Sequence, residues 1–348
     1  MKVSILIPTF QEGRYITRCL NSIITNEYDF VGTGSEILVI DGHSTDGTRD
    51  IVTGFMERHP FVRMIDNPDI AQVVGLNVGF KVAIGDIIIR CDAHSEYPRN
   101  YVRELVAWHA KGLAANIGGC WVTLPGDESI RAQAIAEVMR HPVGVGLTYR
   151  TAPEGKERFV DTVPFGSWKR ETIDAFGPFD EEFIRAQDLE HNMRLRARGE
   201  KILMLPWLRI RYYARESYDK AASMFYQYGY WKNKVNRKFG TICSIRQLIP
   251  PLFVLGLIAL AISACCSTVA AALFLAYIGL YVIPILAFSM LIIFQQPPER
   301  RSFGFFLLVA IAFFMTHFSY GFGYIMGFIN IIILRRADLG KNLKTHTR

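Results

Sequence analysis

The chain has 348 residues, of which 50% are hydrophobic and 20% charged, with 39 Lys and Arg against 32 Asp and Glu for a net charge of +7. Nearly all of that charge lies before residue 247, whereas 248–334 is almost entirely Leu, Ile, Phe, Ala, Val and Gly. This excludes a uniformly soluble protein, and also a disordered or fibrous one.

The stretch 1–214 is mixed in composition and long enough to bury its own core, so a soluble domain is expected ahead of a membrane region. Its first apolar run is interrupted by Pro8 and Glu12, too soon for a signal-peptide core, and reads as a strand of a domain that stays in the cytosol. Short Ile, Val and Leu-rich runs at 3–10, 36–41, 61–65 and 86–92 are separated by helical segments at 15–24, 51–56 and 71–82. Near-continuous apolar runs alternating with helices predict the buried strands of a parallel sheet. Asp46 is the expected cap of the second helix. Ligands of such an α/β fold lie beyond the carboxyl ends of the strands. Those ends carry Pro8-Thr9-Phe10, Asp41-Gly42-His43 and Asp92-Ala93-His94. The six cysteines show neither a C-x-x-C pair nor a regular spacing, so neither a disulfide framework nor a zinc site is expected.

At 215–247 aromatics (Tyr218, Phe225, Tyr226, Tyr228, Tyr230, Trp231) are followed by Lys232, Lys234, Arg237, Lys238 and Arg246. Such a mixture suits an amphipathic helix on the cytosolic headgroup layer. No RNA- or DNA-binding module accompanies the basic residues, so a nucleic-acid partner is not expected. The transmembrane region, 248–334, opens with two runs at 249–266 and 269–294, each long enough to span the bilayer and together a hairpin, 249–294. A third run, 303–334, is too long for one straight span and too short for two. Arg300-Arg301 before it and Arg335-Arg336 after it both favour the cytosolic side, which points to an even number of crossings and a cytosolic basic tail, 335–348.

Ser4-Ile-Leu-Ile-Pro-Thr-Phe-Gln-Glu12, Ile40-Asp-Gly-His-Ser-Thr-Asp-Gly-Thr48 and Gly85-Asp-Ile-Ile-Ile-Arg-Cys-Asp-Ala-His94 together resemble the successive nucleotide- and metal-binding motifs of the family 2 glycosyltransferases. The resemblance covers about 2–205 and implies a GT-A type Rossmann-like domain, a nucleotide-sugar donor, inversion at the anomeric carbon and a divalent cation, Mn2+ or Mg2+. Pro8, Thr9 and Glu12 match the loop that frames the nucleoside, and Asp41 matches the acidic acceptor for the uracil edge. Asn77 matches an Asn before the metal strand, while Ala71-Gln72 stands where a Lys or Arg is frequent. Asp92 and His94, two apart and expected on one side of an extended segment, are the implied metal ligands, His94 replacing a second carboxylate.

In Phe179-Asp-Glu-Glu-Phe-Ile-Arg-Ala-Gln-Asp-Leu-Glu190 the family's Glu-Asp element has Gln187 for the Glu and keeps Asp188, the implied general base. Trp168 lies in a segment resembling the one that closes under the donor sugar, and His191 follows Asp188 by about one turn. Gln227 and Trp231 sit in a variant of the Gln-x-x-Arg-Trp signature in which Tyr230 replaces Arg. These four are the expected acceptor-side residues. The chain is most similar in outline to succinoglycan-type exopolysaccharide β-glucosyltransferases. The resemblance implies transfer of a hexose, glucose first, from a UDP-sugar to a polyprenyl-diphosphate-linked sugar. It further implies a multi-pass protein of the cell inner membrane whose catalytic domain is in the cytoplasm. A processive synthase would be distinguished by product length, and a catalytically silent assembly scaffold by the absence of UDP release.

Overall fold

The computed structural model describes residues 1–146 and 155–336, so the expected tail beyond Arg336 lies outside the described residues. The strands are β1 (Val3–Thr9), β2 (Glu36–Asp41), β3 (Val62–Asp66), β4 (Ile87–Arg90), β5 (Ser95–Glu96), β6 (Asn116–Leu124), β7 (Arg158–Phe159), β8 (Ser167–Lys169) and β9 (Ile202–Tyr213). The helices are α1 (Ile16–Ile24), α2 (Thr48–Arg58), α3 (Gln72–Val82), α4 (Tyr101–Ala110), α5 (Ile130–Arg140), α6 (Pro142–Val145), α7 (Arg170–Phe176), α8 (Gln187–Ala197), α9 (Tyr218–Phe239), α10 (Ile249–Ala264), α11 (Thr268–Gln295) and α12 (Phe303–Gly327). Two compact units result, Met1–Val122 with Tyr149–Tyr213 and Thr123–Thr148 with Ala214–Arg348.

In the first unit the sheet runs β3-β2-β1-β4-β8-β6-β9-β5, with β7 pairing β9. β2 and β4 flank β1 in parallel and β3 continues beside β2, whereas β8 adds to β4 antiparallel. Every residue of β1 and β2 is buried, as suits their apolar centres Ile5-Leu-Ile7 and Ile37-Leu-Val-Ile40. The chain moves outward from β1 through β2 to β3 and then returns to its other side as β4. β1 is therefore a topological switch point, and the crevice beyond its carboxyl end is the place where such sheets take ligands. Register sets Thr9 beside Asp41, and Asp41 beside Asp66, along that edge.

The second unit is helical. Three helices among the described residues are long and apolar enough to cross a membrane, Ile245–Ala264, Thr268–Gln295 and Phe303–Ile333. The third run is thus one continuous helix, α12 prolonged by a looser turn at Phe328–Ile333, and not a broken pair. The segment that follows β6 belongs here and not with the sheet, because α5 presents Ala134 and Val138 to a cluster with Ile285, Ile292, Val309 and Phe313.

Candidate active site

The loops beyond the carboxyl ends of β1, β2 and β4 converge on a set of carboxylates. Asp41 ends β2 completely buried. Its Oδ2 accepts from the Ser44 backbone N–H at 3.0 Å and from Arg49 Nη1 at 2.9 Å, and the same Nη1 reaches Asp66 Oδ1 at 2.9 Å. Hydrogen bonds to Asp66 and Asp41 hold the Arg49 guanidinium protonated against a smaller desolvation. Asp41 Oδ1, equally buried, has no hydrogen-bond partner among the described residues. Pro8 and Thr9 are buried at the end of β1, and Thr9 Oγ1 donates to Ile7 O at 3.0 Å. Asp46 sits one residue ahead of the N-cap Gly47 and binds the start of α2, accepting from Thr48 N at 3.2 Å and from Gly13 N at 2.9 Å. Partial burial pushes its carboxyl up, but the bonds from Thr48 and Gly13 outweigh this and leave it below the usual range.

Asp92 follows β4, and the segment turns at Ala93-His94 instead of continuing extended. The alternation expected to aim Asp92 and His94 to one side therefore does not apply. Asp92 Oδ1 accepts from Arg90 Nε at 3.1 Å and from Gln72 Nε2 at 3.3 Å, while its backbone N–H donates to Tyr97 OH at 2.7 Å. His94 packs edge-on to Tyr212, and its Nδ1 lies 2.9 Å from Glu12 Oε1. Among the described residues no three His, Cys, Asp or Glu side chains form a metal-binding group. Asp92 and His94 fit a divalent cation in donor chemistry, since a carboxylate against the far ring nitrogen is how ligating histidines are usually fixed. Remaining coordination positions would fall to substrate oxygens and water.

Asp188 occupies the second position of α8, behind the N-cap Ala186. Its carboxylate is ion-paired, because Arg90 Nη1 donates to Asp188 Oδ1, and a third of the side chain stays exposed. Burial pushes the Asp188 carboxyl above its usual range and nearby Asp92 adds to this, while Arg90 pulls it down. Burial also works against the Arg90 charge, but Asp188 and Asp92 prevail and keep it protonated. Gln187 Nε2 donates to Gln72 Oε1 at 3.0 Å, which links the two ends of the network through Gln72 to Asp92. Arg90 and Gln72 were absent from the candidates read off the sequence. Arg90 had a visible signal: a charge in the apolar run Ile87-Ile-Ile-Arg90, two residues from Asp92 and so on the same strand face, demands a partner.

Backbone conformation marks the same loops. Gln11, His43, Ile70, Phe165 and Ala186 have φ of 55°, 62°, 55°, 62° and 61°. For non-glycine residues, and for β-branched Ile70 above all, this is strained. Strain of about 1–3 kcal/mol per residue persists where surrounding structure enforces it, and clusters at functional sites.

Five expected site residues are corrected. Asn77 Oδ1 accepts from Phe179 N at 3.0 Å, and its Nδ2 donates to Phe179 O and Glu181 Oε1, each at 2.9 Å. Its amide is committed to pinning that loop, so the nucleotide-sugar-binding role expected of Asn77 is not supported. Trp168 is buried in the core among Phe80, Phe179 and His191, so neither it nor His191 is open to an acceptor. Gln227 and Trp231 in the second unit are each 2% exposed, which excludes them as an open acceptor platform.

Burial, with nearby Arg194 adding to it, lowers the His191 pKa to about 3. The unfolded ring binds a proton near 6.5, so between those values the unfolded state holds more protons and stability falls as pH falls. A slope of about 1.4 kcal/mol per pH unit is expected from this group below pH 6.5. Thermal midpoints measured from pH 7 to 5 should show it in the wild type and show less of it in His191→Gln.

Residues 4–166 match the family described as Glycosyl transferase family 2. The chain is 30% identical over 68% of its length and 74% of the relative to the dolichyl N-acetyl-alpha-D-glucosaminyl phosphate 3-beta-D-2,3-diacetamido-2,3-dideoxy-beta-D-glucuronosyltransferase of Methanococcus voltae. It is 28% identical over 71% of its length and 73% of the relative to the succinoglycan biosynthesis protein ExoA of Rhizobium meliloti. Its fold resembles the mannosyltransferase PcManGT of Pyrobaculum calidifontis, solved with GDP-Man and Mn2+, at a TM-score of 0.60 and 20% identity over 91% of this chain and 86% of that one. The sheet with its switch point at β1 is the GT-A arrangement, and the chain belongs to glycosyl transferase family 2.

Proposed function

We propose that the protein is an inverting transferase that moves a hexose, glucose in the first instance, from a UDP-sugar to a sugar carried on a polyprenyl diphosphate. It would work at the cytosolic face of the inner membrane, through a hairpin of α10 and α11, with Mn2+ or Mg2+. The observation that carries the donor half is Asp41 Oδ1, buried without a partner at the carboxyl end of β2 while Arg49 and Ser44 occupy Oδ2. An acceptor atom left unpaired in such a place costs about 1–3 kcal/mol. A ring N–H such as that of uracil would recover this cost once the loop beyond β2 opened to admit it, since Asp41 is fully buried without a ligand. The lipid-linked acceptor is supported by the Methanococcus voltae relative, named as acting on a dolichyl phosphate-linked sugar, and by the relative named for succinoglycan biosynthesis.

Asp92 and His94 would hold the divalent ion, which when bound stabilises charge on the departing diphosphate. Glu12 fixes the His94 ring through Nδ1. Asp188 takes the proton of the acceptor hydroxyl, and Arg90 orients it while also bonding Asp92 beside it. The deciding experiment is a screen of nucleotide sugars with purified protein and diphosphate-linked acceptors, the product linkage being read by NMR. UDP-glucose should be used, one sugar added, and activity abolished by excess EDTA. Preference for a GDP-sugar, or full activity in EDTA, would remove the corresponding half of the reading.

A further inference from the structure

α9 and α12 lie side by side in parallel for nearly their whole length. Tyr218 OH donates to Leu308 O at 2.7 Å, Asn233 Nδ2 to Tyr324 O at 2.9 Å, and Arg237 Nη1 to Ile331 O at 3.0 Å. Between these contacts the backbones touch through glycine: a Cβ on Gly229 would come within 2.2 Å of Tyr320 O, and one on Gly323 within 2.1 Å of Tyr226 O. The stretch from Tyr218 to Arg237 is about 28 Å at 1.5 Å per residue, close to the ~30 Å of a hydrocarbon core. A crossing by α12 would therefore draw α9 through the bilayer with it, carrying Asp219, Lys220, Lys232, Lys234, Arg237 and Lys238. Charges in that position are expensive and normally face a partner or water.

The rest of α12 points the same way. Phe303, Leu307, Ile311, Phe314 and Phe322 are exposed at 74%, 42%, 49%, 49% and 50%, and at 100° per residue they form one stripe along the helix. The opposite face, with Phe305, Val309, Ala312 and Thr316, is buried against the protein, and His317 at the flank of the stripe lies 2.7 Å from Val143 O through Nε2. Phe225, Tyr230 and Trp231 of α9 are buried, so the lipid-facing role expected of α9 falls to α12. Exposed Arg300 and Arg301 precede the helix and exposed Arg335 and Arg336 follow it, matching anionic headgroups at both ends of one leaflet.

We propose that Phe303–Ile333 does not cross the bilayer but lies in the cytosolic headgroup layer of an anionic membrane, its apolar stripe toward the acyl chains. The chain then crosses only twice, through α10 and α11, with Arg336 on the cytosolic side. This rests on the reading of α10 and α11 as a membrane hairpin.

A C-terminal fusion of the full chain tests the sidedness. Green fluorescent protein should fluoresce there and alkaline phosphatase should stay inactive, and the reverse would overturn the proposal. Depth is read separately by nitroxides at positions 307, 314 and 322, with Cys243, Cys265 and Cys266 replaced by serine and the buried Cys19, Cys91 and Cys120 kept. Oxygen and nickel accessibilities should place the three at one shallow depth in phosphatidylglycerol-containing liposomes. A maximum of depth at position 314 would sink the proposal. Failure of the hairpin is distinguishable, since a thiol at Ser267 would then resist labelling from outside while the fusion result stayed unchanged.

Discussion

Asp188→Asn should lower turnover about 10²- to 10⁴-fold, the usual contribution of a positioned general base, with little change in the affinity for UDP-sugar. An acceptor hydroxyl is a poor nucleophile at neutral pH and must lose its proton as the new bond forms. Asp188 stands at the second position of α8, where the helix N-terminus favours a carboxylate. Gln187 beside it cannot accept a proton in this way, so the neighbour supplies no substitute. Burial raises the Asp188 pKa against the pull of Arg90, and the base form is the ionised one. Turnover should therefore fall as pH is lowered through a limb placed above the ordinary carboxylate range. Steady-state kinetics for the variant, with donor affinity from calorimetry, separate the lost step from lost binding. A variant turning over at the wild-type rate would move the base elsewhere.

The part of the fold that was legible in the sequence is the part built from buried parallel strands. β1, β2 and β4 have apolar centres four or three residues long, and with the helices between them that pattern has few other solutions. The antiparallel half was not legible, because β5 and β7 are two residues each, β8 is three, and none carries a period. Composition located the apolar C-terminal run, but not the fact that α12 shares its length with a charged helix, since that is a matter of packing. At the site, Asp41, Asp92 and Asp188 stand out as carboxylates at element ends. Asn77, Trp168 and His191 match the family pattern equally well in the chain, yet burial assigns them to the core. A motif match cannot distinguish a side chain that faces the crevice from one that faces the sheet. Arg90 was the more informative residue, because a cation in a buried strand has to be neutralised by something the strand meets.

Arg90→Leu is expected to have the largest effect on the fold of the site. The guanidinium is buried, with 4% of its side chain exposed, and it is the group that Asp92 and Asp188 share. Removing it leaves two carboxylates near each other with no cation between them, and breaking a buried pair from one side costs about 3–5 kcal/mol. The attraction of Arg90 is what draws the Asp188 pKa down against burial, so its loss must raise that pKa further. Whatever fraction of the variant folds should then show the acid limb of turnover displaced to higher pH. Arg90→Lys keeps the charge but not the fork that reaches both carboxylates, and should fall between the two. Adding Asp188→Asn to Arg90→Leu removes one of the stranded charges, so the double variant should melt higher than Arg90→Leu alone. The unfolding midpoints of the three single variants and this double variant complete the cycle. If the midpoints were additive, Arg90 would be packing material and its coupling to Asp188 would have to be abandoned.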